Sequence, residues 1–232
     1  MVYIYQHMGL GDHFICNGLV RKLIKEDEDY IMFVKPHNIV TVSFMYKDIE
    51  NIGFISCFDD DAIRMIYQKP DYNNIIIGFN DNTNIPGNIP FLNVSDLTWD
   101  ESFYLKHNID FKYRWENFIF NRDLISEENL NNKLNPNNEE YILIHSKGSD
   151  GIDRINYDIL DKNIKHIFVE PHTENMFDWI GLIYGAKEIH CVESSFHHLV
   201  DSITNLSSKL FFHTKKNGRL NGHRFKDVWN IV

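Results

Sequence analysis

Near the start of the chain two histidines and a carboxylate bracket a pair of glycines, His7-Met8-Gly9-Leu10-Gly11-Asp12-His13. Imidazoles exchange protons near neutral pH, and a carboxylate beside them at the end of a strand suits a general base. Gly9 and Gly11 let the backbone turn tightly and let a ligand approach the amides. Asp12 also has a purely architectural reading, because an Asp ahead of a helix is a favoured N-cap. The dinucleotide fingerprint requires a third glycine three residues after the second. The next glycine here is Gly18, so NAD binding has little support.

Three later segments could handle an anion. Glu193-Ser194-Ser195-Phe196-His197-His198 offers helix amides, two hydroxyls and imidazoles of a kind that face phosphate. Ser194 is equally a plausible N-cap, and one of the two adjacent histidines should pack against a sheet, since neighbouring helical residues point apart. His145-Ser146-Lys147-Gly148-Ser149-Asp150 presents Lys147, a mobile point charge suited to a diphosphate or else an ordinary surface lysine. Arg154 is a further cation. In Glu170-Pro171-His172-Thr173-Glu174, Glu170 could accept the hydroxyls of a ribose, or be only a loop acid. No Asp-x-Asp motif leads into these three segments, and no His/Cys spacing suggests zinc, so no metal is expected.

The elements that must position these groups alternate. Strand patterns at 2–6, Tyr30–Val34, 53–58 and 74–79 are separated by helix patterns at 13–26, after Pro36, and at Asp59–Gln68. That order predicts a parallel, doubly wound sheet. Residues 80–93, rich in Asn, Gly and Pro, read as an irregular loop, and 100–123 as aromatic and helical. The polar stretch 131–140 is the expected linker. Strands at Tyr141–His145, 166–170, 188–192 and 210–213 then alternate with helices, one of them short at 155–161, and 225–232 reads as a terminal helix crossing back to the first half. The predicted domains are 1–134 and 135–232, each Rossmann-like. All four segments leave C-terminal strand ends, which should border one cleft.

The 232 residues are 43% hydrophobic and 14% aromatic, enough for real cores. With 33 acidic against 23 basic residues the formal net charge is −10; a nucleic-acid partner is not expected, because the basic surplus that neutralises phosphates is missing. Cys16, Cys57 and Cys191 each sit in an apolar run without a CxxC, as buried free thiols of a reducing compartment would. No run approaches the ~20 apolar residues of a membrane span, and signal-peptide architecture is missing. A soluble, cytoplasmic protein is expected.

The glycine–aspartate segment near the start, with Glu193–His198 late in the chain, resembles GT-B glycosyltransferases, in particular the heptosyltransferase-like group. That group has an N-terminal Gly-Asp and a late Asp-Ser/Thr-Gly-x-x-His at comparable places. Here Glu193 stands for its Asp and Ser195 for its glycine. The resemblance implies two Rossmann-like domains facing across a cleft, an N-terminal acceptor domain and a C-terminal domain for a nucleotide-sugar donor. It implies Asp12, or its neighbour His13, as the base that deprotonates an acceptor hydroxyl in a metal-independent, inverting transfer. It implies Ser194 and His198 as diphosphate contacts, Ser146 and Lys147 in a phosphate- and ribose-binding loop, and Glu170 at the ribose. Gly9, Gly11, Arg154, Glu193 and Ser195 complete the expected donor set, with no cofactor beyond the donor itself and a glycan or small molecule as acceptor. The alternatives are a sugar-nucleotide epimerase of the same fold, a non-catalytic nucleotide- or glycan-binding protein, and, less favoured, a Rossmann oxidoreductase. The aromatic residues Phe103, Tyr104, Tyr113, Trp115, Phe118 and Phe120 fit packing better than a sugar platform.

Overall fold

The structure, a computed structural model, describes residues 1–68, 73–78, 97–214 and 223–232. The chain divides into two units, Met1–Asn121 with Gly222–Arg224, and Arg122–Asn221 with Phe225–Val232.

In the first unit the strands β1 (Val2–Tyr5), β2 (Tyr30–Val34), β3 (Ile52–Ser56) and β4 (Asn73–Ile76) form a parallel sheet in the order β3-β2-β1-β4. Their connections carry α1 (Leu10–Leu23), α2 (Ile39–Met45) and α3 (Asp59–Gln68), and α4 (Trp99–Lys106) and α5 (Tyr113–Glu116) follow. Both faces of a parallel sheet must be covered, and on one of them Tyr5, Met8, Phe33 and Ile76 pack with Ala62 and Ile66 of α3. The segment expected to be aromatic and helical holds α4 and α5, with Asn108 at φ 55° in the turn between them. Its aromatics pack inward: Tyr104 is buried and donates to the Ile15 carbonyl at 2.7 Å. The loop expected at 80–93 and the strand end at Phe79 lie outside the described residues.

Gly18 shows how closely α1 and α5 meet. A Cβ there would stand 2.0 Å from the carbonyl oxygen of Tyr113, and Asn17 and Arg21 bond the Ile119 backbone beside it. Gly18→Ala is therefore expected to cost about 1–3 kcal/mol by overpacking, read as a lower urea midpoint. An unchanged midpoint would refute the close approach.

In the second unit β5 (Tyr141–His145), β6 (Lys165–Phe168), β7 (Glu188–Cys191), β8 (Lys209–Phe212) and β9 (Trp229–Ile231) are parallel in the order β6-β5-β7-β8-β9. The helices are α6 (Leu124–Leu134), α7 (Ile180–Gly185) and α8 (Ser195–Ser202). The final segment is not a helix but β9: Val228, Trp229, Ile231 and Val232 favour extended chain, and buried Trp229 donates its indole N–H to Asp201 at 3.0 Å. What returns to the first unit is His223-Arg224. The stretch 131–140 is not a loose linker either. Its first part completes α6, and Asn135 is buried, its side chain bonding both the carbonyl and the N–H of Glu139. The division between units falls after Asn121, so α6 packs with the second unit. The expected helix at 155–161 is a single 3-10 turn, Tyr157–Ile159.

No helix among the described residues is long and apolar enough to cross a membrane, and Cys16, Cys57 and Cys191 are buried free thiols.

Candidate functional site

In open α/β sheets ligands bind beyond the C-terminal strand ends where the strand order reverses. In the first unit that point lies between β1 and β4, so the loop after β1 stands there. α1 begins at Leu10, earlier than the sequence pattern suggests, with Gly9 as its N-cap. Asp12 is thus the third helical residue and not the cap. From there it reaches back to the Gly9 amide, half of the reciprocal pattern seen at helix starts. A Cβ on Gly9 would stand 2.6 Å from Oδ2 of Asp12, so glycine makes room for the carboxylate. Burial pushes the Asp12 carboxyl up to about 7, against the opposing pull of His223, of the Asp12 and Gly9 amides and of Lys35. It nevertheless retains partial exposure. A carboxyl that exchanges its proton near neutrality and can be reached by solvent has the properties of a general base.

The two flanking histidines differ. His13 is wholly buried, its Nδ1 against the Gln6 amide, and burial pushes its pKa down to about 3. Its Nε2 has no hydrogen-bond partner among the described residues. A neutral ring sealed in the core is poorly placed to take a proton from a ligand. His7 bonds the Gly78 carbonyl, packs on Trp99 and Phe103 at 4.9 and 5.9 Å, and is held below the ordinary imidazole pKa by burial. Gly78 closes this side of the site. It has φ +75°, and a Cβ there would strike Phe103 and His7 within 2.9 Å, so glycine is required on both counts.

In the second unit the order reverses between β5 and β7, and the two predicted anion loops leave those strands. They touch: a Cβ on Gly148 would stand 2.9 Å from the Glu193 carbonyl oxygen. Ser194 caps α8, its hydroxyl accepting from the His197 amide at 3.1 Å. Ser146, Glu193, Ser194 and Ser195 are half-buried and Lys147 is exposed. Arg154 joins them but is paired with Asp150, at 2.8 Å from one oxygen and closer to the other. Of the adjacent histidines, His197 packs into a cage of Phe212, Phe225 and Trp229 with centroids 4.5, 5.1 and 4.7 Å away. His198 is also buried, at 5% exposure.

No family model, curated protein or solved structure matches this chain.

Three members of the predicted donor set do not gather with the rest. Gly9 and Gly11 belong to the first unit with Asp12. Glu170 is exposed, two residues past the end of β6, on the side of β5 away from β7.

A buried histidine chain supports the loop after β5. The Asn156 amide donates to His213 Nδ1 at 3.0 Å, so the neutral ring carries its proton on Nε2, which donates to His190 Nδ1 at 2.9 Å. That leaves His190 Nε2–H facing Glu188 at 3.3 Å. Burial lowers the pKa of both rings, His213 to about 4, in keeping with neutral tautomers. Sequence reasoning had no means of pairing His190 with His213, because their contact depends on β7 lying beside β8. Among the described residues no group of three His, Cys, Asp or Glu side chains is placed to hold a metal ion.

Proposed function

We propose that the chain is a glycosyltransferase that moves a sugar from a nucleoside-diphosphate donor to a hydroxyl acceptor, with Asp12 as the base. The observation that carries this reading is that each unit has a switch point with a polar group of its own. One bears a reachable carboxyl poised near neutrality; the other bears Lys147, the hydroxyls of Ser146 and Ser194 and the first amides of α8. The Asp12 carboxylate takes the acceptor's hydroxyl proton, and the acceptor oxygen attacks the anomeric carbon. The bond from that carbon to the diphosphate breaks, and the nucleoside diphosphate leaves with the electron pair. Cation and amides aimed at the diphosphate stabilise the charge it gains, which is commonly the largest catalytic contribution. Burial of His13 favours Asp12 over its neighbour as the base.

An incoming diphosphate competes with Asp150 for Arg154. Binding of UDP, GDP, ADP and CMP, followed by thermal shift and titration calorimetry, is expected to identify one tight nucleotide. Lys147→Ala should weaken that nucleotide by roughly tenfold, the scale of one exposed charge-assisted contact, and Asp150→Asn should tighten it by releasing Arg154. Failure of all four nucleotides to bind, with no hydrolysis of the corresponding sugars, would sink the reading. Binding without turnover under any acceptor would instead favour a non-catalytic nucleotide-binding protein.

A further inference from the structure

The loop between β5 and β6 carries Ser146 and Lys147 outward and returns through Asp153 and Arg154. Its two limbs pair with each other: the Arg154 amide donates to the Ser146 carbonyl at 3.1 Å, and Lys147 and Asp153 form an antiparallel bridge. The tip closes where the Gly151 amide donates to the Gly148 carbonyl at 3.0 Å, with Gly151 at φ 72°. Where Lys147 and Arg154 stand therefore depends on what holds the return limb to the sheet. Two contacts do so, and they differ in kind. Ile155 is buried with Ile142, Ile144, Leu160 and Val192; apolar burial is non-directional, so it fixes depth and not register. The next residue supplies the direction, because a hydrogen bond weakens steeply as it bends. The Asn156 amide donates to His213 Nδ1 at 3.0 Å.

His213 is itself held firmly at the end of β8. Its amide donates to the Cys191 carbonyl at 2.8 Å, its Nε2–H reaches His190 Nδ1 at 2.9 Å, and His190 Nε2 faces Glu188 at 3.3 Å. Phe211 stacks on His190 with centroids 4.4 Å apart. Both imidazoles are buried. The titratable and charged groups around them are Glu188 on β7, which stands 4.0 Å from Lys209 of β8, with His166 on β6 and Asp153 on the loop.

We propose that His213 is the positioning residue of the loop between β5 and β6: its unprotonated Nδ1 sets the register of the return limb, and through it the place of Lys147 and Arg154. A neutral imidazole accepts at that nitrogen. Once protonated it has only N–H groups to offer, and two donors then face each other. Burial first, then the neighbouring His190, pushes the His213 pKa down to about 4 against the pull of Asp153, so the grip is complete at neutral pH. The anchoring rests on these contacts alone; that the loop receives a phosphate rests on the donor-site reading above.

The test follows the loop amides by nitrogen-15 NMR in the full chain, and the affinity for inorganic pyrophosphate by calorimetry. At pH 7 the wild type should show a nitrogen–nitrogen coupling across the bond from Asn156 to His213, lost with a shift of the loop amides as His213 protonates. His213→Asn puts a side-chain oxygen in the place of Nδ1 and accepts at any pH. It should keep the loop amide shifts and the pyrophosphate affinity, and lose their response to acid, which a merely space-filling role would not predict. His213→Phe fills the space without an acceptor and should weaken pyrophosphate roughly fivefold, the scale of one lost hydrogen bond. If that variant fails to fold, Asn156→Pro removes the donor instead, at a residue whose φ of −82° proline accommodates, and should show the same loss. Loop amides and affinity unchanged in a folded Phe or Pro variant overturn the proposal, as does an Asn variant as impaired as Phe. Displaced loop amides in a protein that never binds pyrophosphate would remove the donor-site reading and leave the anchoring intact, whereas binding with undisturbed loop amides would do the reverse.

Discussion

Asp12→Asn is expected to be more stable than the wild type at pH 8 and nearly inactive as a transferase. An unfolded Asp loses its proton near pH 4, whereas the folded Asp12 carboxyl holds its proton up to about 7. Between those values the folded state binds one more proton, so stability falls as pH rises through the window. Above it the ionised, half-buried carboxylate weakens the fold by roughly 2–4 kcal/mol. Asparagine has the same shape and no charge to desolvate. Its advantage should be largest at pH 8 and vanish near pH 4, measured by urea unfolding at the two pH values. Equal or lower stability of the variant at pH 8 would show that Asp12 ionises freely. The same substitution removes the proton acceptor and should lower kcat by ~10²–10⁴, leaving nucleotide affinity unchanged, since Lys147, Ser146 and Ser194 belong to the other unit. In the wild type kcat should fall as pH drops below about 7, because the protonated carboxyl cannot act as a base. A residue that destabilises its own protein at working pH is typical of a site kept for chemistry.

The alternation of strands and helices was legible because each parallel strand is a short apolar run and each helix start carries local signals, such as the acidic turn of α3. The candidate loops were legible for the same reason, since a loop after a predicted strand must stand at its C-terminal end. What failed were features whose cause lies elsewhere in the chain. Trp229–Ile231 form β9 because β8 offers Leu210, Phe211 and Phe212 as pairing partners, and nothing local announces a neighbour nineteen residues away. His13 sits beside Asp12 in sequence, but its helical position turns it into the core under β1, and a one-residue step decides between reachable base and sealed ring. The buried ion pair of Asp100 and Arg114 did leave a trace. Asp100 precedes Phe103 and Tyr104 by three and four residues, and Arg114 lies three after Phe111 and four before Phe118. Charges that occupy positions of an apolar face must find each other or a ligand. The partner they hold, His223-Arg224, has no pattern of its own, so its role emerges only from the fold.

Arg114→Met is expected to be the most damaging single change in the first unit. Methionine roughly matches the arginine stem in volume, so the cavity term is small, but Asp100 then loses its guanidinium partner in a place where its side chain has no solvent exposure. Breaking a buried pair from one side costs about 3–5 kcal/mol, a large part of the ~5–15 kcal/mol that holds a typical domain folded. Burial alone would raise the Asp100 carboxyl, but His223, Arg114 and Thr98 together hold it below the ordinary carboxylate range. Its stabilising contribution is therefore present above about pH 4 and is lost as pH falls through the lower folded value. In Arg114→Met that protection weakens, so the variant should lose stability at neutral pH and recover part of the difference in acid, where Asp100 can protonate. The double variant Asp100→Asn/Arg114→Met should be more stable than Arg114→Met alone, because no unpaired charge remains, as a double-mutant cycle would show. It should still fall short of the wild type, since Arg114 also bonds the Arg224 carbonyl. Additive losses in that cycle would mean that the two residues do not act as a pair.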